Sequence, residues 1–304
     1  MRILVLGAGA IGGYFGARLA AGGVDVSFLV RPQRAELLAR DGLRVKSPLG
    51  DLQVPAKTVL REQVRPGYDA ILLGCKSYDL DDAIESIRPA VPGAVIIPLL
   101  NGMRHLDRLD AAFGQQAVGG GVAALFVALE PDGSIRHQGA AQNFVFGERH
   151  PAQAAACEAL APVLTQGGFS PRHSREIEQD MWEKFVFICS AAAMCCLMRG
   201  AVGEIASTSE GAPLMQEMLQ DCGAAATAAG HPQRPAHLEF CRKTLTDPAS
   251  PNVPSMLRDL RAGNQVEADH IVGDMLARTR AAGRQATLLR AAAAHLQVYQ
   301  ARRA

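Results

Sequence analysis

Six residues near the start of the chain, Gly7-Ala8-Gly9-Ala10-Ile11-Gly12, have the spacing of a loop that cradles phosphate. They follow the apolar run Arg2–Leu6 directly and precede a helical pattern, and this strand–turn–helix context gives the motif a mechanism. Gly7 permits the tight turn, Gly9 lets backbone approach a pyrophosphate, and Gly12 lets the helix lie close to the strand. The helix N-terminus then faces the negative charge. A dinucleotide is the expected ligand. Its adenosine end is read from the second strand, where NAD-binding loops place an acidic residue about 20 residues after the first glycine. Here Val24–Val30 begins with Asp25, too early, and runs into Arg31 with Arg34 behind it. Planar guanidinium donors suit a 2′-phosphate, so NADP is expected, with Arg31 its main contact. Arg34 is equally well read as a solvated helix residue. Farther along, Lys184 precedes the apolar run Phe185–Met198. Desolvation there would lower its ammonium pKa and make it a usable general acid near neutrality. A lysine snorkelling from a helix end would look the same in sequence.

These residues need elements to position them. Apolar runs at Tyr68–Cys75 and Ala94–Leu99, with a helix at Asp81–Arg88 between them, indicate a parallel sheet covered on both faces. A helix is expected at Gln33–Arg40, and a hairpin at Leu43–Lys46 and Leu52–Ala56 around Leu49-Gly50-Asp51. Strands Val118–Val127 and Ser134–Phe146, joined by the turn Glu130-Pro131-Asp132-Gly133, would add an antiparallel extension to the same sheet. From Ile177 helical periodicity takes over, at Met181–Met198, Pro213–Ala229, Met256–Arg261, Glu267–Ala282 and Gln285–Ala301. His231–Pro254, with five prolines, reads as a long loop. The expected fold is α/β: an N-terminal Rossmann-type doubly wound sheet over residues 1–174, binding NADP, and a C-terminal all-α domain over 175–304 for substrate and dimerisation.

A net charge of +1 over 304 residues, without a basic block, points away from nucleic acid and from anionic membrane surfaces. Seven cysteines without C-x-x-C or zinc spacing read as reduced thiols, most of them buried, in a cytoplasmic protein. Nothing at the N-terminus has the pattern of a signal peptide. The longest apolar run, fourteen residues from Phe185 to Met198, falls short of the ~20 that a bilayer needs and reads as a core helix. The alanine- and methionine-rich C-terminal helices are compatible with a homodimer. No metal-ligand set is expected.

Further short motifs, in order along nearly the whole chain, carry a resemblance. They are Cys75-Lys76 after a strand, Asn101-Gly102-Met103 after the next, Trp182-Glu183-Lys184 opening the apolar helix, and Ser255-Met256-Leu257-Arg258-Asp259 followed by Val266-Glu267-Ala268-Asp269. Together with the glycine loop and Arg31 they resemble the ketopantoate reductase (2-dehydropantoate 2-reductase) family. The resemblance implies NADPH-dependent reduction of a small 2-oxo acid to a 2-hydroxy acid, in the family's case the ketopantoate step of pantothenate biosynthesis. It makes Lys184 the general acid and Glu267 its active-site carboxylate. Ser255 would donate to the substrate carboxylate, Asn101 would bridge cofactor, substrate and lysine, and Lys76 would lie near both ligands. Each has a plainer alternative: Glu267 in a capping box with Asn264, Ser255 as a helix N-cap, Asn101 as a turn residue, Lys76 as a solvated loop charge.

The chain also departs from the family. Asparagines usually stand four and eight residues after the lysine, on the substrate-lining face; here those positions are Ile188 and Ala192. A substrate hydroxyl aimed at that wall would lose its partners, at about 1–3 kcal/mol each. The hydride-transfer residues are therefore expected to be intact and the recognition of ketopantoate altered. Two alternatives stay open: a related NADP-dependent hydroxy-acid dehydrogenase with another substrate, and a non-catalytic NADP-binding sensor.

Overall fold

The computed structural model describes residues 1–303. By internal contacts the chain forms two compact units, Met1–Leu100 with His105–Glu178, and Asn101–Arg104 with Gln179–Ala304. The division falls four residues after the expected 174/175 boundary and assigns the short 101–104 segment to the helical unit.

The first unit opens with β1 (Arg2–Leu6), α1 (Ala10–Ala21), β2 (Asp25–Leu29), α2 (Pro32–Asp41), β3 (Leu43–Lys46), β4 (Leu52–Val54) and β5 (Thr58–Val59). It continues with β6 (Ala70–Leu73), α3 (Leu80–Ile87), β7 (Val95–Pro98), α4 (Arg104–Phe113), β8 (Gly120–Leu129), β9 (Ile135–Gly147), α5 (Ala154–Thr165) and β10 (Arg172–His173). Five strands form a parallel sheet in the order β5-β2-β1-β6-β7, the doubly wound arrangement expected. β6 and β7 are buried throughout, as strands covered on both faces must be.

The β8–β9 pair corrects the expectation of an extension. It belongs to a second five-stranded sheet, ordered β10-β9-β3-β4, with β8 antiparallel to β9. An isolated parallel bridge pairs Ile96 of β7 with Val118, two residues before β8. The expected β3–β4 hairpin is present, but β3 also pairs in parallel with the start of β9. Helix α1 packs on strands of both sheets, burying Tyr14 and Phe15 completely. Phe15 meets Phe144 of β9 edge-on at 4.9 Å. Each fully buried aromatic or aliphatic side chain here stabilises the fold by about 1.5–3 kcal/mol. The helix that carries the glycine loop is thus clamped from two sides.

The second unit is helical: α6 (Ile177–Met198, which begins two residues earlier than the unit), α7 (Val202–Ala206), α8 (Gly211–Ala228), α9 (Pro235–Leu245), α10 (Ser255–Arg261), α11 (Asp274–Ala281) and α12 (Thr287–Ala301). α8 packs against α7, α9, α11 and α12. By length and composition α6 could cross a membrane, but 72% of its apolar window is buried inside the fold, as a core helix requires. The expected His231–Pro254 loop is corrected by α9, eleven residues starting at Pro235. Proline is well suited to the first helical position, where its missing N–H would have had no partner. The expected helix from Glu267 is also corrected: Asp269–Gly273 forms a π-helical segment that leads into α11.

Six of the seven cysteines are buried and Cys75 is half-buried.

Candidate active site

In the first unit, Gly7 has φ +89°, a conformation closed to residues with a side chain, and its amide donates to the Leu29 carbonyl at 3.0 Å. A Cβ at Gly12 would overlap the Gly7 carbonyl, so the helix can start this close to the strand only with glycine there. Gly9 precedes α1 in an extended conformation and offers no side-chain cap, which leaves the first-turn amides of Ala10 and Ile11 to an outside acceptor. A Cβ on Gly9 would meet nothing within 4 Å. Glycine at this position therefore keeps open space in front of the helix N-terminus, and the residues fit a dinucleotide pyrophosphate.

Arg34 is not a solvated helix residue. Its Nη2 and Nε donate to the Ala8 carbonyl at 2.8 and 3.2 Å, and its Nη1 donates to Gly133 in the β8–β9 turn at 3.0 Å. It braces the glycine loop from below. Arg31 stays exposed at the start of α2, where Asp79 holds it at 2.7 Å and raises its pKa. A 2′-phosphate would find the guanidinium already oriented, with an acidic neighbour to compete against. Lys76 is half-buried and leads the short helical turn Ser77–Asp79 after β6.

In the second unit, Lys184 is half-buried on α6. Desolvation lowers its pKa to about 8, while the charge of Glu267 pulls in the other direction. The structure thus brings these two candidates within electrostatic reach. Ile188 and Ala192 follow one and two turns on, along the same side of α6, the first half-buried and the second buried. This wall is apolar.

The capping-box alternative for Glu267 does not hold. Residues 264–267 are not helical, and the Asn264 carbonyl accepts a bond from Tyr299 Oη at 2.6 Å. Glu267 is instead half-buried between buried Val266 and Ala268, and its carbonyl accepts from Ile271 at 3.0 Å where the π-helical segment begins. Such segments are frequent at functional sites because they re-aim side chains. Ser255 is not the N-cap of α10 either; Pro254 takes that place, and Ser255 is the exposed first residue of the helix.

Two features were not visible in the sequence. One is His270, whose Nε2 lies 2.9 Å from the Asn101 carbonyl. That oxygen can only accept, so Nε2 carries the proton. Burial lowers the His270 pKa against the opposing pull of Glu267 and of the bond to Asn101, and the ring is neutral at pH 7. Gly102, at φ +83°, presses so close that a Cβ would stand 3.2 Å from the His270 carbonyl. The Asn-Gly pair is therefore a docking contact with the π-helical segment as well as a turn. The other is the setting of Glu183, buried beside Lys184 in sequence. Arg234 donates to it from its amide and Nε at 2.9 Å and from Nη2 at 2.7 Å. Burial alone would raise the Glu183 pKa, but these bonds and one from Gln179 hold it below the usual carboxylate range. Trp182 is buried under the Arg278 guanidinium, 5.3 Å above its ring. The first two residues of Trp-Glu-Lys are anchors in the fold.

Residues 3–151 match the family described as ketopantoate reductase PanE/ApbA, and residues 176–300 match its C-terminal domain. The chain is 34% identical over 302 residues to the uncharacterized oxidoreductase YkpB of Bacillus subtilis, covering 99% of each. The crystal structure of 2-dehydropantoate 2-reductase from Geobacter metallireducens is similar at a TM-score of 0.89 and 30% identity, over 98% of this chain and 99% of that one. D-mandelate dehydrogenase, solved with NADH and anilino(oxo)acetate, shares the fold at a TM-score of 0.89 and 20% identity, over 100% of this chain and 99% of that one. The chain therefore belongs to the ketopantoate reductase family, nicotinamide-dependent oxidoreductases that act on CH–OH groups and take a small 2-oxo acid as substrate.

Proposed function

We propose that this protein reduces a 2-oxo acid with an apolar tail, using NADPH, and that Lys184 is its general acid. The observation that carries the reading is the state of Lys184: a half-buried lysine whose desolvated ammonium has its pKa lowered to about 8 against the pull of Glu267, on a helix whose next two turns offer Ile188 and Ala192. A lysine so poised is charged at neutral pH yet gives up its proton readily. NADPH, when bound, would supply the hydride that C2 of the oxo acid takes up. Lys184 Nζ gives a proton to the oxygen on C2 as it becomes an alkoxide, and the ammonium stabilises that developing charge. The products are the 2-hydroxy acid and the oxidised cofactor. Glu267 keeps the ammonium protonated before transfer. Ser255, with an exposed hydroxyl that caps no helix, donates to the substrate carboxylate. The Asn101 side chain bridges substrate and lysine, held in register by the bond from His270 to its carbonyl. Lys76 adds positive charge for cofactor and substrate.

On the cofactor side, Gly7, Ala8, Gly9, Ala10, Ile11 and Gly12 would hold the pyrophosphate at the start of α1, and Arg31 would take the 2′-phosphate that distinguishes NADPH from NADH. The apolar tail is argued from Ile188 and Ala192, which offer no hydrogen bond to a substrate hydroxyl. The first test is NADPH oxidation by the wild type and by Lys184→Ala against a panel of 2-oxo acids that includes ketopantoate, with NADH as the alternative reductant. Faster turnover of an apolar-tailed acid than of ketopantoate, lost in Lys184→Ala, is the expected result. In Ile188→Asn the preference should move back toward ketopantoate by about tenfold, the lower end of what one hydrogen bond to a substrate hydroxyl supplies. Equal efficiency on ketopantoate and the apolar acids would overturn the reading of that wall; undiminished turnover in Lys184→Ala would overturn the role of the lysine.

A further inference from the structure

On the first unit, away from the glycine loop in sequence, three metal-ligating side chains from three elements converge. Glu148 follows the end of β9, His173 lies on β10, and Cys157 is the fourth residue of α5. Cys157 Sγ, a His173 ring nitrogen and a Glu148 carboxylate oxygen all lie within 4.8 Å of one another. Register explains the meeting. β10 runs parallel to β9 with His173 opposite Phe146, two residues before Glu148, and α5 packs on both strands. The His173 ring stacks on Phe146 at 5.3 Å with an interplanar angle of 13°, which fixes its direction. Cys157 is fully buried beneath, while Glu148 and His173 keep 25% and 23% of their side chains in contact with solvent. The group has a wet side and a dry side.

We propose that Glu148, Cys157 and His173 form a binding site for zinc or a similar divalent cation, with water in the fourth position. A mixed sulfur, nitrogen and oxygen set from one buried and two half-buried residues suits zinc and leaves no room for a ligand cage of hard oxygens. His173 Nε2 and Glu148 Oε2 share a bond of 2.6 Å. As joint ligands of a tetrahedral ion they would stand about 3.3 Å apart, a small opening for two half-exposed side chains. Burial pushes the Cys157 thiol up to about 12, with the Glu148 charge adding to the effect, so without a cation the sulfur is an inert thiol. Binding exchanges the S–H bond for a metal–sulfur bond and releases that proton to solvent through the wet side. The charges facing the group are Glu148 itself and Arg175, which lowers the Glu148 pKa and opposes a cation. The bound ion would pin α5 to the β9–β10 edge and leave the reduction chemistry alone.

The test uses the full chain, stripped with a chelator and titrated with Co²⁺ and then Zn²⁺. One Co²⁺ per chain is expected, with a thiolate-to-cobalt charge-transfer band and the visible bands of a tetrahedral site, displaced by Zn²⁺. Cys157→Ala should remove the charge-transfer band. His173→Gln, a change at a half-exposed position, should weaken binding by more than the roughly 10–100-fold lost with an outer-shell partner. Zn²⁺ should raise the melting temperature of the wild type and of neither variant, and both variants should keep wild-type NADPH turnover as evidence of folding. Cobalt bound without a thiolate band, a band that survives Cys157→Ala, or no stoichiometric binding would each overturn the proposal.

Discussion

If Lys184 donates the proton, the reduction rate must follow its ionisation. The pKa falls from 10.5 to about 8. At pH 7 about 90% of the lysine is then protonated, and at pH 9 about 10%. kcat/KM for reduction should be level to about pH 7.5 and then fall about tenfold per pH unit, whereas an ordinary lysine would hold it level past pH 9.5. Oxidation of the 2-hydroxy acid needs the neutral amine and should show the mirror-image profile. Glu267→Gln removes the charge that opposes desolvation, so the fall should begin at lower pH. The same group makes a stability prediction. A drop from 10.5 to about 8 corresponds to about 3 kcal/mol against holding the ammonium in the fold. The unfolded chain binds the extra proton between those two values, so stability rises with pH across that window and the full cost applies below it. Lys184→Met should therefore abolish reduction yet melt higher than the wild type at pH 7, by up to about 3 kcal/mol. That advantage should shrink as the pH approaches 10. Stopped-flow NADPH oxidation from pH 6 to 10, with thermal melts at pH 7 and 10, measures both effects. A rate level to pH 9.5, or a Lys184→Met protein less stable than wild type at pH 7, would refute the reasoning.

Two further outcomes follow from the geometry. Arg31→Ala should raise the KM for NADPH about tenfold and leave NADH unchanged; the low end of the range for a charged hydrogen bond applies because the side chain is 72% exposed and already held by Asp79. Gly102→Ala should cost about 1–2 kcal/mol of stability through its φ of +83°, and should lower kcat by more than tenfold because the new Cβ displaces Asn101 from His270; wild-type kcat in a destabilised protein would show the contact to be structural only.

What the chain disclosed before its structure depended on how local each signal was. The glycine loop, β1, β6 and β7 lie within short stretches whose residues point to one arrangement, and the structure has them where expected. The β8–β9 pair was legible as a hairpin, but its membership of a second sheet rests on β3 pairing across about ninety residues, which no local pattern encodes. α9 was hidden by its proline, since Pro235 reads as a breaker until its place at the first helical position is known. Asn264 and Glu267 matched a capping box by spacing, and the π-helical segment makes that spacing coincidental. Arg34, His270 and Arg234 owe their roles to carbonyls and carboxylates at distances along the chain that composition cannot supply.

The π-helical segment at Asp269–Gly273 amounts to one residue more than a regular helix would need there. Removing a single residue would let α11 wind evenly into the preceding turn. Met275 and Thr279, fully buried downstream, could keep their places in the core. Everything upstream would swing by about 100° around the helix axis, carrying His270 off Asn101 and Glu267 away from Lys184. Val266, Ala268 and His270 are buried on that upstream stretch, so the extra residue sets the register of core and candidate site together.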